Sequence, residues 1–266
     1  MGAALAERLL GAGFALLGYD VERGKADALN IEEADSVAEI GRRCDRVVIA
    51  VFDDAQVEEV VAGLLSAGRG DLGVLCVTTC TPGRIASLAT HIRLVEAPIS
   101  GTSAQVRSGE GVGFIAGETK AIDRMSDLLN AICPRRIVVG KPGDAAKAKL
   151  AVNLVLQLNR AALAEGLAFA ERMGLPASMS LQVMRKSAAY SAVMDSKGEK
   201  MVRGDYAPQS RLAQTLKDAQ LILEEAERQH QVLPLMRTNV ALLSAAIAIA
   251  GAEADPAAII EALRAP

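Results

Sequence analysis

Apolar residues in the first half of the chain form short runs of beta character, separated by stretches with helical periodicity. Leu5, Leu9 and Leu10 share one face of a helix predicted over 3–12, with Gly13 as its stop. A short strand is expected over 14–19, ending at Asp20, and a second, buried one over 46–52 (RVVIAVF). Asp54 is expected to cap the next helix, whose inward positions are Val57, Val60, Val61, Leu64 and Leu65. Further strands are expected over 74–79, 92–99, 111–116 and 136–139. Pro82 opens one intervening helix, at a position where its missing N–H costs little, and another helix covers 120–132.

The pattern changes after Gly143, beyond which no strand is expected. A helix over 147–173 is apolar around most of its circumference, through Leu150, Val152, Leu154, Val155, Leu158, Leu163, Leu167 and Phe169. Such a helix needs other helices around it. These are expected over 178–186, 192–202, 210–229, 233–250 and 255–263, with breaks at Gly174-Leu175-Pro176 and over 204–208. The reading is a doubly wound, Rossmann-like and largely parallel α/β domain over 1–143, followed by an all-α domain over 144–266.

Composition narrows the function. The 266 residues are 51% hydrophobic but only 3% aromatic, with no Trp and a formal charge of −3. No basic block or aromatic platform is present, so a nucleic-acid partner is not expected. Cys44, Cys76, Cys80 and Cys133 read as reduced thiols, and His91 and His230 complete no zinc signature, so no metal is expected. The longest apolar stretch, over 240–250, is short of the ~20 residues needed to span a bilayer. No signal peptide is evident, and a cytoplasmic protein without membrane partners is expected.

The chain's first residues read as the second half of a βαβ unit. Gly2 fits the last glycine of a G-x-G-x-x-G loop, which would put the first strand and first two glycines upstream of Met1. Asp20 lies where an acid that bonds adenosine ribose hydroxyls belongs. Its charge favours NAD over NADP, although Arg23 stands nearby. Alone, one Gly and one downstream Asp are a weak signal and fit an ordinary surface helix and strand end better.

Four segments in order resemble the β-hydroxyacid dehydrogenase family, which includes 3-hydroxyisobutyrate dehydrogenases and tartronate semialdehyde reductases. They are Met1-Gly2; Val51-Phe52-Asp53-Asp54 leading to Thr78-Thr79-Cys80-Thr81-Pro82; Glu96-Ala97-Pro98-Ile99-Ser100-Gly101-Thr102; and the stretch GKPGDAAKAKLAVN over 140–153, followed by Lys217-Asp218. The resemblance implies hydride transfer between NAD or NADP and a small β-hydroxyacid or its semialdehyde. It implies Lys149 as the proton-transfer residue; Ser100, Gly101, Thr102 and Asn153 around the substrate; and Gly2, Asp20, Phe52, Thr79 and Lys217 around the cofactor. It also implies a homodimer or homotetramer, in line with the apolar helix surface.

Residue chemistry agrees with this. Lys149 and Asn153 are four apart and share a helix face, expected in a cleft near the carboxyl ends of parallel strands. A lysine of ordinary pKa, ~10.4, is a poor base at neutral pH. Partial burial and nearby positive charge would lower that value. Ser100 and Gly101 can offer a hydroxyl and closely approached backbone N–H groups to a carboxylate. Departures from the family pattern are Thr102 for a second glycine, Cys76 for an Asp, Thr78 for a Ser, and Ser210-Arg211 where a Phe is usual. Ser210 and Arg211 favour a more polar pocket and a hydroxylated acid. Two other readings remain open: a non-catalytic family member, motivated by the phosphate loop, and an imine reductase, against which Lys149 argues.

Overall fold

The computed structural model describes residues 1–264. Positions 265 and 266, at the end of the expected helical domain, lie outside the described residues. The chain divides into two units, Met1–Lys149 and Leu150–Pro266.

The first unit is α/β. Its strands are β1 (Leu17–Gly18), β2 (Glu32–Glu33), β3 (Arg46–Ile49), β4 (Gly73–Cys76), β5 (Arg93–Glu96), β6 (Ile99–Ser100), β7 (Val112–Ala116) and β8 (Arg135–Gly140). Its helices are α1 (Gly2–Gly11), α2 (Val37–Arg43), α3 (Asp54–Leu65), α4 (Pro82–Leu88), α5 (Ser103–Arg107), α6 (Thr119–Arg124), α7 (Ser126–Ile132) and the start of α8 (Asp144–Arg172). Strands β3, β4 and β5 run parallel, and β7 runs antiparallel to β5 and β6 and parallel to β8. The expected strand over 92–99 is therefore two pieces, β5 and β6, because Ala97-Pro98 interrupts it and proline removes a ladder donor.

The two N-terminal strands pair with each other in a separate two-stranded parallel sheet, Leu17 with Glu32 and Gly18 with Glu33. The run over 14–19 yields only Leu17–Gly18 in strand geometry. Phe14 and Leu16 instead pack on the core of α1, α7, β4 and β5 that includes Leu5, Leu9, Leu75, Val95, Leu129 and Ile132.

Local chemistry sets several ends differently from expectation. Asp53, not Asp54, caps α3, its carboxylate accepting from Gln56 N at 3.0 Å. Asp54 points elsewhere and accepts from the backbone N–H of Thr81 at 3.0 Å and from its hydroxyl. The helix expected over 120–132 breaks at Met125 into α6 and α7. Helix α2, capped by Ser36, had no expected counterpart because its seven residues are too few to display a clear period.

The second unit is all helical among its described residues. It holds the rest of α8, then α9 (Ala177–Arg185), α10 (Glu199–Arg203), α11 (Leu212–Arg228), α12 (Pro234–Ala250) and α13 (Glu261–Arg264). A π-helical segment, Met194–Gly198, precedes α10, and a 3₁₀ segment, Pro256–Ile260, precedes α13. Leu163, Leu167, Leu181, Met201, Met236, Leu243 and Ile259 form its core. Helix α8 is not enclosed on every side: Val155 and Phe169 are 57% and 63% exposed.

Polar groups inside this core are organised around Asp255, which is wholly buried. Its carboxylate accepts from Lys197 Nζ at 2.7 Å, Gln209 N at 3.0 Å and Ala257 N at 3.0 Å. Burial pulls the Lys197 ammonium below its ordinary pKa, and the Asp255 carboxylate opposes that shift. Removing one partner of a buried pair leaves the other charge uncompensated. Asp255→Ala is therefore expected to destabilise the protein by about 3–5 kcal/mol, measured as a lowered urea midpoint. The exposed pair Arg211–Glu253, with Nε to oxygen at 3.0 Å, is the control. Glu253→Ala is expected to cost less than about 1 kcal/mol.

Candidate active site

Within the first unit four candidate residues stand at or just beyond the carboxyl ends of strands, Asp20 at the separate two-stranded sheet. Asp20 follows β1 by two residues, Phe52 follows β3 by three and Thr79 follows β4 by three. Ser100 ends β6. A crevice at the carboxyl ends of strands is the usual ligand position in sheets of this kind. The surface concavity lined by Asp45, Arg46, Gly73, Arg93 and Arg124 lies at the other end, where β3, β4 and β5 begin, and contains no candidate residue.

The strand ends are held by side-chain bonds. The Thr78 hydroxyl bonds both the N–H and the carbonyl of Val51, each at 3.0 Å, tying the end of β4 to the end of β3. Phe52 N donates to Gln56 Oε1 at 2.8 Å, and the Phe52 ring is exposed. Thr79 is buried. Asp20 is partly exposed; its Oδ1 accepts from Glu22 N at 2.9 Å and stands 3.4 Å from Lys25 Nζ. The Arg23 guanidinium turns to the Ala34 carbonyl at 3.1 Å and to Glu33 at 3.8 Å. Gly2 opens α1, where Met1 provides no side-chain cap. A Cβ at Gly2 would meet nothing nearer than Ala50 at 3.9 Å, so the protein's own packing does not require glycine there.

The segment after β5 carries the second group. Gly101 has φ +150°, and a Cβ there would sit 3.2 Å from the Gly111 Cα, so glycine is required on both counts. Thr102 does a structural job: its hydroxyl accepts from Gln105 N at 3.2 Å and its N–H donates to Gln105 Oε1 at 2.9 Å, a reciprocal cap on α5. Lys149, 7% exposed, donates from Nζ to the Ile99 carbonyl at 2.9 Å, one residue before Ser100. Lys147 is the exposed lysine of the same helix, paired with Asp144 at 2.9 Å.

In the second unit Asn153, one turn beyond Lys149 on α8, is buried, and its Nδ2 donates to Asp218 Oδ2 at 2.9 Å. Lys217 Nζ lies 2.8 Å from Asp218 Oδ1. The Asp218 carboxylate thus joins two candidate residues that lie 64 positions apart in sequence. One turn further along α8, Gln157 donates to the Thr215 carbonyl at 3.2 Å and accepts from Asn239 at 3.1 Å. Arg211 faces solvent in its pair with Glu253, which removes half of the sequence argument for a polar pocket near Ser210.

Two residues have a larger part than their sequence context suggested. Asp218 was visible only as the neighbour of Lys217. Glu96 was visible only as a motif letter; it is 2% exposed and bonds the first turn of α8.

Comparison with known proteins adds the family. Residues 1–140 match the model described as the NAD binding domain of 6-phosphogluconate dehydrogenase. Residues 143–263 match the model described as NAD-binding of NADP-dependent 3-hydroxyisobutyrate dehydrogenase. L-threonate dehydrogenase of Cupriavidus necator is 30% identical over 97% of this chain and 92% of its own. L-threonate dehydrogenase of Escherichia coli K12 is 26% identical over 98% of this chain and 90% of its own. The crystal structure of 3-hydroxyisobutyrate dehydrogenase from Salmonella typhimurium superposes with a TM-score of 0.88 at 25% identity, covering 98% of this chain and 95% of that one. The fold, the two matched models and the near full-length likeness lead to one conclusion: the chain belongs to the β-hydroxyacid dehydrogenase family of nicotinamide-dependent oxidoreductases.

Proposed function

We propose that this protein oxidises a small β-hydroxyacid, or reduces the matching semialdehyde, with Lys149 moving the proton at the substrate oxygen. The observation that carries this is the burial of Lys149 with its Nζ on the Ile99 carbonyl, one residue from Ser100 and two from Gly101. A surface lysine would be solvated, as Lys147 is. A buried amine at the carboxyl end of a sheet, beside a hydroxyl and a glycine-opened backbone, suits transfer of a proton at a hydroxyl.

The residues present fit a dinucleotide. The first turn of α1, which receives no side-chain cap from Met1, suits a pyrophosphate, and the partly exposed Asp20 just beyond β1 suits ribose hydroxyls. When bound, the nicotinamide supplies the hydride acceptor for oxidation and the donor for reduction. Lys149 takes the hydroxyl proton in oxidation and returns it to the carbonyl oxygen in reduction. Ser100 and the Gly101 N–H receive the substrate carboxylate. From the helical unit, Asn153, held by Asp218, is assigned to the substrate and Lys217 to the cofactor.

The substrate we favour is a polyhydroxylated acid. Similarity to the L-threonate dehydrogenases of Cupriavidus necator and Escherichia coli K12 supports this, as does Ser210 in place of an aromatic residue. NAD is favoured over NADP because the Asp20 carboxylate repels a 2′-phosphate while Arg23 is engaged with Glu33 and Ala34. The exposed Val155 and Phe169 on α8, with Met179 and Val183 on α9, support a homodimer or homotetramer.

A screen of hydroxyacids, followed by nicotinamide absorbance, tests the reaction. Lys149→Ala is expected to lower kcat by about 10²–10⁴-fold, the usual worth of a general acid–base, with an unchanged circular dichroism spectrum. Full turnover in a folded Lys149→Ala protein would refute the assignment. In the same assay kcat/KM with NAD is expected to exceed that with NADP by about tenfold, equivalent to ~1.4 kcal/mol. Asp20→Ala should shrink that ratio, and a wild-type preference for NADP would contradict the role given to Asp20.

A further inference from the structure

We propose that Glu96 is a positioning residue for Lys149: its carboxylate fastens the first turn of α8 to the strand whose continuation receives the lysine. This rests on the assignment of Lys149 above and adds a residue to it.

The geometry is a two-point attachment. Oε1 of Glu96 accepts from the backbone N–H of Gly143, and Oε2 accepts from that of Ala146 at 2.9 Å. Both donors belong to the start of α8, where first-turn N–H groups have no partner inside the helix. A carboxylate there also meets the positive end of the helix dipole. Three residues after Glu96, the Ile99 carbonyl accepts from Lys149 Nζ at 2.9 Å. The segment 96–99 therefore holds α8 by its backbone at one end and holds the reacting side chain at the other.

Gly143 is shaped for this attachment. Its φ is +98°, and a Cβ there would stand 3.1 Å from the Pro82 carbonyl and 3.4 Å from the Ala86 Cβ of α4. Its bare backbone lets the helix start lie against α4 with the N–H directed at Glu96. A shorter acid at position 96 would have less reach across the two donors.

Protonation changes the attachment. A carboxylate can accept from both N–H groups at once, whereas a carboxylic acid turns one oxygen into a donor that faces an N–H. Burial pushes the Glu96 pKa up to about 7, against the two backbone hydrogen bonds that lower it. Asp144, also on α8, raises it and Lys147 lowers it; the register neighbours of Glu96 in the sheet are Cys76 on β4 and Ala116 on β7. Because the folded value lies above the ordinary 4.5, ionising Glu96 costs stability as pH rises from 4.5 to about 7 and costs nothing further above that. The intact attachment thus belongs to the upper side of neutrality.

The test uses Glu96→Gln and Glu96→Asp in the full chain, with two readouts. The first needs no turnover: amine labelling of Lys149 by an acylating reagent, quantified by peptide mass spectrometry against the exposed Lys147. The buried Lys197 serves as a monitor of unfolding. Glu96→Gln is expected to raise the Lys149-to-Lys147 ratio several-fold with Lys197 still protected, and Glu96→Asp is expected to restore part of the protection. An unchanged ratio in folded Glu96→Gln overturns the proposal.

The second readout is kcat in the reduction direction, where Lys149 must hold its proton, so a loss on the acid side comes from another group. The wild type is expected to show an acid limb near pH 7. Glu96→Gln should lose that limb and run about tenfold slower at its plateau, and Glu96→Asp should regain a limb. A wild-type kcat and profile in Glu96→Gln overturns the positioning role while leaving Lys149 in place; loss of the whole assignment would show instead as full turnover in Lys149→Ala. If Lys197 becomes labelled in Glu96→Gln, the wild-type protein decides: its Lys149-to-Lys147 ratio must rise as pH falls through 7, and a flat ratio overturns the proposal.

Discussion

The candidate site depends on a carboxylate bonded to the beginning of a helix. Glu96 closes two of the open N–H groups of α8 from inside the sheet, and in doing so fixes where the next turn of that helix, with Lys149, can stand. Charge-assisted bonds of this kind are worth more than neutral ones, and more still where water is excluded. They oppose a real desolvation cost, visible in the raised pKa of Glu96. The same segment supplies Ile99 and Ser100, so an acid, a carbonyl and a hydroxyl reach the site from five consecutive residues.

A second carboxylate plays a parallel part in the helical unit. Asp218 sits on α11 among buried neighbours and gathers Asn153 and Lys217. Asn153, Gln157 and Arg160 succeed one another along α8 at helical spacing, and all three are buried polar residues. Burial draws the Arg160 pKa down to about 10, with Asp255 opposing that shift. A helix with this many buried polar groups is oriented by its hydrogen bonds as well as by its apolar packing.

Much of this was legible in the sequence because it depends on spacing. The change from short apolar runs to long helices near Gly143 marked the α/β and helical parts, and the K-x-x-x-N spacing put Lys149 and Asn153 on one helix face. Other features depend on which side chain wins a local competition. Asp53 and Asp54 are adjacent acids, and only three-dimensional structure shows that the first caps α3 while the second bonds Thr81. Thr102 stands in the substrate motif, and only three-dimensional structure shows that its hydroxyl and N–H also make the cap of α5. The clamp made by Glu96 joins residues 47 and 50 apart in sequence, beyond the reach of any periodicity argument.

The role of Lys149 is tested most directly by a crystal structure of the protein with oxidised cofactor and an unreactive hydroxyacid analogue. The analogue's hydroxyl is expected within about 2.6–3.2 Å of Lys149 Nζ, the range for a group that transfers a proton, with its carboxylate on Ser100 and Gly101. An analogue hydroxyl bonded to another residue and out of reach of Lys149 Nζ would overturn the role given to the lysine.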